Sequence, residues 1–292
     1  MCPSINYHGW DNRRLNNNLW LALETSTDTL SLAVSRGTQT WTHTSAGGAL
    51  TSTHMIPQTL ALLKEAGLAL TDLQAVVFGR GPGAFTGLRT ACAVAQGLAF
   101  GANLPVLPID TLLAVAEEAR MTAVLAGDTP VTRVLAVMDA RMEQVYVAAY
   151  EFTLHPQVLD ASVSEAHNTM SGTWHCVQAP ELHSPDALYW PASWNAAPSH
   201  TQAPATRVAS SAGFIAAGNA WSVYAGRWPV AFTAPQVGAL PTATALLRLA
   251  PAAWAAGSAV PPEEALPLYI RDKVAQTTDE RMQIKAQQAA DQ

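Results

Sequence analysis

A glycine-rich stretch in the first third of the chain has the composition of an anion-binding turn. Gly79, Gly81 and Gly83 follow the apolar run 75–78, and a periodic helical segment begins directly after them. A buried strand, a turn with unusual backbone angles and a helix N-terminus can together present backbone N–H groups to a phosphate. The same residues also fit a tight strand-to-helix turn without a ligand, and both interpretations stay open.

A second polar segment lies near the start of the chain. Glu24, Thr25 and Ser26 follow a short apolar strand, and their carboxylate and hydroxyl oxygens are ligands that Mg²⁺ prefers. The alternative is a hairpin turn in which the carboxylate caps backbone N–H groups. Together the two segments predict candidate phosphate loops at Glu24, Thr25, Ser26, Gly79, Gly81 and Gly83.

Two known nucleotide motifs were compared with the glycine stretch. Gly79-x-Gly81-x-x-Ala84 has the pattern of a dinucleotide fingerprint, but Pro82 removes one loop N–H, and Asp110 lies farther along than the usual spacing of about 20 residues. A Walker A loop is excluded, because no Gly-Lys-Ser/Thr follows.

The elements that position these segments are readable from hydrophobic periodicity. Three short strands from residue 19 to residue 44 precede a helix from about 53 to 67, and strands at 76–78 and 105–109 alternate with two further helices. A hairpin follows at 131–152, and a last helix covers about 241–256. This order predicts an α/β fold with mixed sheets.

One helix has a notably small-residue composition. Its members on one face are Leu88, Ala91, Cys92, Ala95, Leu98 and Ala99. Because small side chains allow close approach, we interpreted this face as a helix-packing surface.

Bulk composition limits the classes of function. The 292 residues are 49% hydrophobic and 13% charged, with a net charge of −6. No basic stripe for gripping nucleic acid is visible, so a partner would hold most of any RNA. Neither a bilayer-spanning run nor a secretory signal is evident. The cysteines are odd in number and far apart in the sequence (Cys2, Cys92, Cys176), without the spacing of a metal or redox site. A cytoplasmic protein without a membrane partner is expected.

Several segments in a fixed order resemble one family. They are Leu21-Ala-Leu-Glu-Thr-Ser-Thr-Asp-Thr-Leu-Ser-Leu-Ala-Val34, His54 before a leucine-rich helix, Gly79-Arg-Gly-Pro-Gly-Ala-Phe-Thr-Gly-Leu-Arg89, Val137-Met-Asp-Ala-Arg141 with Val145-Tyr146, and Tyr269-Ile-Arg-Asp-Lys-Val-Ala275. Over residues 19–152 and 241–278 the chain resembles the bacterial TsaB (YeaZ) family.

This resemblance implies a fold and a role. The fold is the actin-like/Hsp70-like ATPase (ASKHA) fold, with two related α/β domains. The role is that of a non-catalytic accessory subunit which pairs with the paralogous TsaD, joined by the ATPase TsaE. Together they attach threonylcarbamoyl to adenosine 37 (t6A) of tRNAs that read codons beginning with A, and tRNA is contacted mainly through the complex.

Composition and periodicity, together with the resemblance, predict a division of the chain. Residues 1–18 are expected to be a disordered leader, and 19–110 a first domain completed by the helix at 241–256. Residues 111–237 are expected to be a second domain with a variable part rich in Pro, Trp and His, followed by a tail at 257–292. The histidines of the variable part lack metal-ligand spacing.

The resemblance to TsaD bears on metal and cofactor binding. Thr111 and Val115 occupy the positions of its two metal-binding histidines, and neither side chain can replace imidazole. Neither a metal nor a cofactor of its own is therefore expected, although ATP or ADP with Mg²⁺ could bind at the interface with the partner.

The partner interface was predicted on the helices at about 53–66 and 84–101. Its residues are His54, Leu62, Leu88, Ala91, Ala95, Leu98 and Ala99. A bulky Ala95→Arg variant would then block pairing and leave the monomer folded, and the same surface could form a homodimer when the chain is alone.

Two enzymatic alternatives remain. An active small-molecule kinase or ATPase of the same fold would need a catalytic acid in the second domain, for which Asp139 is the candidate. A Rossmann-type dehydrogenase would need to bind NAD(P).

Overall fold

Two five-stranded mixed sheets organise the chain. The computed structural model describes residues 19–48, 51–126, 131–154, 172–194, 214–229 and 234–271. The first sheet and its helices comprise β1 (Trp20–Glu24), β2 (Thr29–Arg36), β3 (Gln39–Ala46), α1 (Thr51–Glu65), β4 (Ala75–Gly81), α2 (Phe85–Ala102) and β5 (Val106–Asp110).

The second group begins immediately after β5. It comprises α3 (Thr111–Leu125), β6 (Arg133–Asp139), β7 (Val145–Leu154), β8 (Gly172–His183), β9 (Phe214–Ala217), α4 (Ala220–Val223) and β10 (Gln236–Val237), and α5 (Ala243–Ala255) follows. Short 3₁₀ turns connect some of these elements.

Both sheets have the same topology. The strand order is β3-β2-β1-β4-β5 in the first sheet and β8-β7-β6-β9-β10 in the second. In each, two antiparallel pairings join the first three strands, and two parallel pairings join the last two. The α/β class with two related units, each opening on antiparallel strands, is confirmed.

Hydrophobic side chains on both faces of each sheet create a layered core. Helices α1 and α2 cover one face of the first sheet, where Met55, Leu63 and Phe78 are buried. Helix α5 covers its other face, and α3 packs on the second sheet. The outer face of the second sheet is covered by α4 and by a tryptophan-rich segment.

The contact between α5 and the first sheet joins segments that are far apart in the sequence. The Ala243 N–H donates to Ser31 Oγ at 3.0 Å, across 212 residues of sequence. The expected domain boundaries stay a prediction, and the expected leader and most of the expected tail lie outside the described residues. Within the described ranges, no helix has the length and hydropathy that a membrane crossing requires.

A buried ionic network ties α3 to its surroundings. Both Glu117 and Arg120 are 3% exposed. The Glu117 carboxylate accepts two hydrogen bonds from Arg120, one from Trp174 Nε1 and one from Arg248 Nε, each at 3.0 Å. Because the buried Arg120 guanidinium is paired with this carboxylate, removing the carboxylate would leave a buried charge without its partner.

We therefore expect Glu117→Ala to lower the free energy of unfolding by about 3–5 kcal/mol, the usual effect of breaking a buried ion pair. The matched control is Glu151→Ala, which removes an exposed glutamate–arginine pair with Arg133 and should cost less than about 1 kcal/mol. Urea denaturation of both variants tests this, and equal losses would contradict a special role for the buried network.

Candidate functional site

The two candidate phosphate loops pack directly against each other. Glu24, Thr25 and Ser26 are at most 2% exposed. Thr25 Oγ1 donates to the Gly87 carbonyl at 2.8 Å, and the Ala84 N–H donates to the Ser26 carbonyl at 2.7 Å. One of the N–H groups that could have faced a phosphate is therefore already used by the chain itself.

The glycines are explained by this close approach. A Cβ atom at Gly79 would overlap the Glu24 carboxylate, and a Cβ at Gly87 would overlap the Thr25 carbonyl. At Gly81 the backbone has φ +116°, and a Cβ would lie 2.7 Å from the Leu268 carbonyl oxygen. These positions exclude larger residues because other parts of the chain occupy the space.

Burial makes the Glu24 carboxyl unusual. Loss of solvent raises its pKa above the ordinary value of 4.5, against the opposing effect of hydrogen bonding from the Ser26 backbone. Oε1 accepts the Ser26 N–H at 2.6 Å, whereas neither Oε2 nor Ser26 Oγ has a partner within the described part of the chain.

The corresponding turn of the second sheet faces this region across a narrow cleft. It follows β6, and its residues Arg141, Met142 and Glu143 all have positive φ values, of 61°, 52° and 59°. This conformation costs about 1–2 kcal/mol per residue. The Arg141 guanidinium reaches Asp28 of the first turn, with NH2 to Oδ2 at 3.0 Å, so an exposed ion pair bridges the two turns.

Asp139 stabilises the second turn. Its Oδ1 accepts the Arg141 N–H and the Tyr224 hydroxyl, both at 2.8 Å. Burial, with the hydrogen bond to Asp139, raises the pKa of Tyr224 to about 12. The carboxylate that the kinase alternative requires is thus engaged in holding the turn.

A C-terminal strap, residues 265–271, closes the cleft from one side. The Leu268 N–H donates to the Arg80 carbonyl at 2.6 Å, and the Arg89 guanidinium donates to the Tyr269 hydroxyl at 3.0 Å. Arg271 NH2 donates to the Ala140 carbonyl at 3.0 Å and to Gln144 Oε1 at 2.7 Å. The strap therefore joins the glycine turn to the second turn.

Little volume remains in the cleft. A cavity of about 80 Å³ lies between the two turns, and one of about 210 Å³ lies beside it under the strap. Both are below the range of about 300–1,000 Å³ in which small-molecule pockets generally fall.

The outer surface of the helix pair is the second candidate region. Helices α1 and α2 contact each other on one face of the first sheet. Away from the sheet they expose Ile56 (42%), Leu60 (51%) and Phe100 (78%). No charged residue occurs between 90 and 102, so the α2 part of this surface is uncharged and partly apolar, whereas α1 ends with the exposed Lys64 and Glu65.

Comparison with known proteins agrees with the geometry. A family model described as "TsaD: tRNA N6-adenosine threonylcarbamoyltransferase" matches residues 38–276. The tRNA threonylcarbamoyladenosine biosynthesis protein TsaB of Escherichia coli (strain K12) is 28% identical over 258 residues, covering 87% of this chain and 95% of that protein. The protein of the same name from Haemophilus influenzae is 42% identical over 127 residues, covering 43% and 51%.

A solved structure decides the family. YeaZ from Pseudomonas aeruginosa is 33% identical, with a TM-score of 0.66, and the match covers 86% of this chain and 99% of that chain. The chain belongs to the TsaB (YeaZ) family. The resemblance seen in the sequence motifs is thereby confirmed.

In this TsaB-family chain, Thr111 and Val115, the two positions that the sequence analysis compared with metal-binding histidines, have structural contacts. Thr111 is fully buried, and its Oγ1 accepts the Gly81 N–H at 3.0 Å. Val115 lies in the core of the second sheet. In the described ranges, no cluster of three or more His, Cys, Asp or Glu side chains has the arrangement of a metal site.

The predicted interface residues need a correction. Most of them are buried in the chain's own core, where they cannot touch a partner: Leu62, Leu88, Ala91, Ala95 and Ala99. Leu98 is partly buried against the same core, and only His54 is exposed. The expectation that Ala95→Arg leaves the monomer folded is wrong, since Ala95 is 0% exposed and an arginine there would disrupt the core.

Other residues of the cleft were missed by the sequence reasoning. Two of them are Tyr224 and Asn219, which come from the variable region and belong to no recognised motif. Asn219 Oδ1 accepts the Asp139 N–H at 2.9 Å. Arg271 stood within a recognised family motif, but the sequence alone did not indicate its contacts.

Two glycines of α2 provide a test of close packing. Gly87→Ala should be strongly destabilising, by about 2 kcal/mol or more, because its Cβ would meet the Thr25 backbone. Gly97→Ala should stabilise by about 0.5–1 kcal/mol, because no atom lies within 4 Å of its Cβ and alanine favours the helix. Chemical denaturation would measure both, and tolerance of Gly87→Ala would contradict the packing.

Glu24 predicts a pH dependence. Because folding raises the pKa of Glu24, the folded protein binds this proton more tightly than the unfolded chain does. The contribution of this group to stability therefore falls as the pH rises above the ordinary pKa of 4.5. Glu24→Gln, which cannot ionise, should lose less free energy of unfolding than the parent as the pH is raised above 4.5. The exposed Glu263→Gln is the control, and a parent-like loss in Glu24→Gln would refute the assignment.

Proposed function

We propose that this TsaB-family chain is a non-catalytic accessory subunit in the formation of t6A at adenosine 37 of tRNAs that read codons beginning with A. In this proposal it pairs with a TsaD-type partner, and TsaE joins the pair. The observation that carries the proposal is the match over 95% of the length of an Escherichia coli protein named for tRNA threonylcarbamoyladenosine biosynthesis, together with the likeness to YeaZ of Pseudomonas aeruginosa.

The small cleft supports an accessory rather than a catalytic role. The cavities of about 80 Å³ and about 210 Å³ at the turns are each smaller than the usual range of small-molecule sites. The same volumes weigh against an independent kinase or ATPase, as does the engagement of Asp139 with Tyr224. The proposal therefore includes no cofactor of the chain's own, and leaves ATP or ADP with Mg²⁺ to the partner interface.

The outer face of α1 and α2 is the surface we assign to the partner. We define the outer face as Ile56, Leu60, Ala93, Gly97 and Phe100, which all point away from the chain's own core. Apolar groups exposed together often mark an interaction surface. Gly97 has open space around it, so a partner helix could approach closely, and a second copy could occupy the face when the partner is absent.

The composition is consistent with indirect contact to RNA. The net charge of −6 does not favour strong binding of tRNA by this chain alone, because phosphate contacts supply most of such affinity. We place the chain in the cytoplasm, with tRNA held mainly by the complex.

The experiment that tests the proposal is light scattering of the chain mixed with the TsaD-type protein of its own organism, together with t6A formation on tRNA in the presence of TsaE. We expect a heteromeric complex, and t6A formation that requires both chains. Gly97→Arg should weaken pairing by about tenfold or more, because its side chain would project from the outer face. It should leave the monomer folded, because the position is open.

Ala255→Arg is the matched control. Like Gly97→Arg, it replaces a small, exposed helical residue by arginine, but on α5. It should pair normally. Normal pairing by Gly97→Arg would overturn the assigned face, whereas t6A formation without this chain would overturn the accessory role.

A further inference from the structure

A cavity of about 600 Å³ lies away from the cleft between the turns. It opens where the edge strands β5 and β8 of the two sheets flank α3 and α5. Its volume falls within the range of about 300–1,000 Å³ that is typical of small-molecule sites. It shares no lining residue with the cleft of about 80 Å³, so the proposed accessory function does not explain it.

One wall of the cavity is held rigid by the buried ionic network. The Glu117 carboxylate, 4% exposed at its side chain, is fixed by Arg120, Trp174 and Arg248. The Arg120 guanidinium also lies over the Phe152 ring, 4.1 Å from its centroid. A ligand entering the cavity would meet a pre-formed wall, which limits the entropy lost on binding.

Two arginines of the lining have guanidinium N–H groups that the described part of the chain does not use. Glu117 already accepts four hydrogen bonds, and Arg248 NH2 donates to Glu118 at 2.6 Å. Arg80 uses only Nε, toward Asp110. Both terminal nitrogens of Arg80 and NH1 of Arg248 have no partner among the residues that the structure describes, and a guanidinium can offer such N–H groups to a carboxylate or phosphate as a pair.

The rest of the lining is mostly apolar. It includes the side chains Ile109, Leu113, Met121, Phe152, Trp174 and Leu249. Small residues of α5, among them Ala252 and Ala256, leave the space open on one side. A fully hydrated ion would gain little from these surfaces, whereas a flat apolar group would bury area against them.

We propose that this cavity binds a small organic anion, namely a carboxylate or phosphate carried on an aromatic body. The free N–H groups of Arg80 and Arg248 hold the anionic end, and the apolar side chains hold the ring. The network around Glu117 explains why the fold needs Arg120, but it does not require an open cavity or unused donors on Arg80. The ligand site explains both.

The test is isothermal titration calorimetry of the purified full chain with two probes, adenosine 5′-monophosphate and indole-3-acetate. One offers a phosphate and the other a carboxylate, so their relative affinities distinguish the two kinds of anionic group. Adenosine, indole, inorganic phosphate and acetate represent the separate halves. We expect at least one complete probe to bind, and each of its halves to bind at least about tenfold more weakly.

Two independent variants locate the binding. Arg80→Gln, at a side chain that is 40% exposed, removes donors and should weaken binding by about tenfold or more. Ala252→Trp, at an exposed position on α5, fills the cavity and should abolish binding. Arg133→Gln, which breaks an exposed guanidinium–carboxylate pair elsewhere, should leave binding unchanged. Circular dichroism confirms that each variant is folded.

Three outcomes would overturn the proposal. They are the absence of binding by both complete probes, binding that survives Ala252→Trp, and equal affinity for a complete probe and its anionic half. None of these results depends on pairing with a second protein, so a failure here is distinguishable from a failure of the accessory role.

Discussion

The contact between the first hairpin turn and the glycine-rich turn is the constraint on which the rest of the structure depends. Glu24 and Thr25 lie so close to Gly79 and Gly87 that a Cβ atom at either glycine would overlap them. This contact fixes the start of α2 on the first sheet, and so fixes which side of α2 faces outward. The strap packs over the same turn, where a Cβ at Gly81 would meet the Leu268 carbonyl oxygen.

Much of the fold was predictable because its elements have strong hydrophobic periodicity. The strands and helices from β1 to β7 were anticipated in type and order, with boundaries a few residues from those observed. Strand β8 was not, because its residues are at best half-buried and it contains Pro180, a residue that argues against a strand when only the sequence is considered. Strand β10 has two residues, too few for any periodic pattern, and its pairing with β9 depends on the tertiary structure.

The candidate site was harder to predict because its residues meet only in three dimensions. The sequence correctly singled out the two turns. It did not indicate that Gly87 packs against Thr25, which is 62 positions away. Helix α2 is apolar nearly all round, so periodicity could not distinguish the side facing the core, with Ala91 and Ala95, from the side facing solvent, with Ala93 and Gly97. The cavity beside Arg80 had no motif at all.

The position of α5 has a consequence for synthesis on the ribosome. Side chains on one face of the first sheet, including Trp20, Val77 and Leu107, are covered by a helix that begins at Ala243. Translation proceeds at about 5–20 residues per second, so that face stays uncovered for many seconds after its strands have emerged. Co-translational folding of the N-terminal unit alone would therefore leave an apolar surface for chaperones to shield until the C-terminal helix arrives.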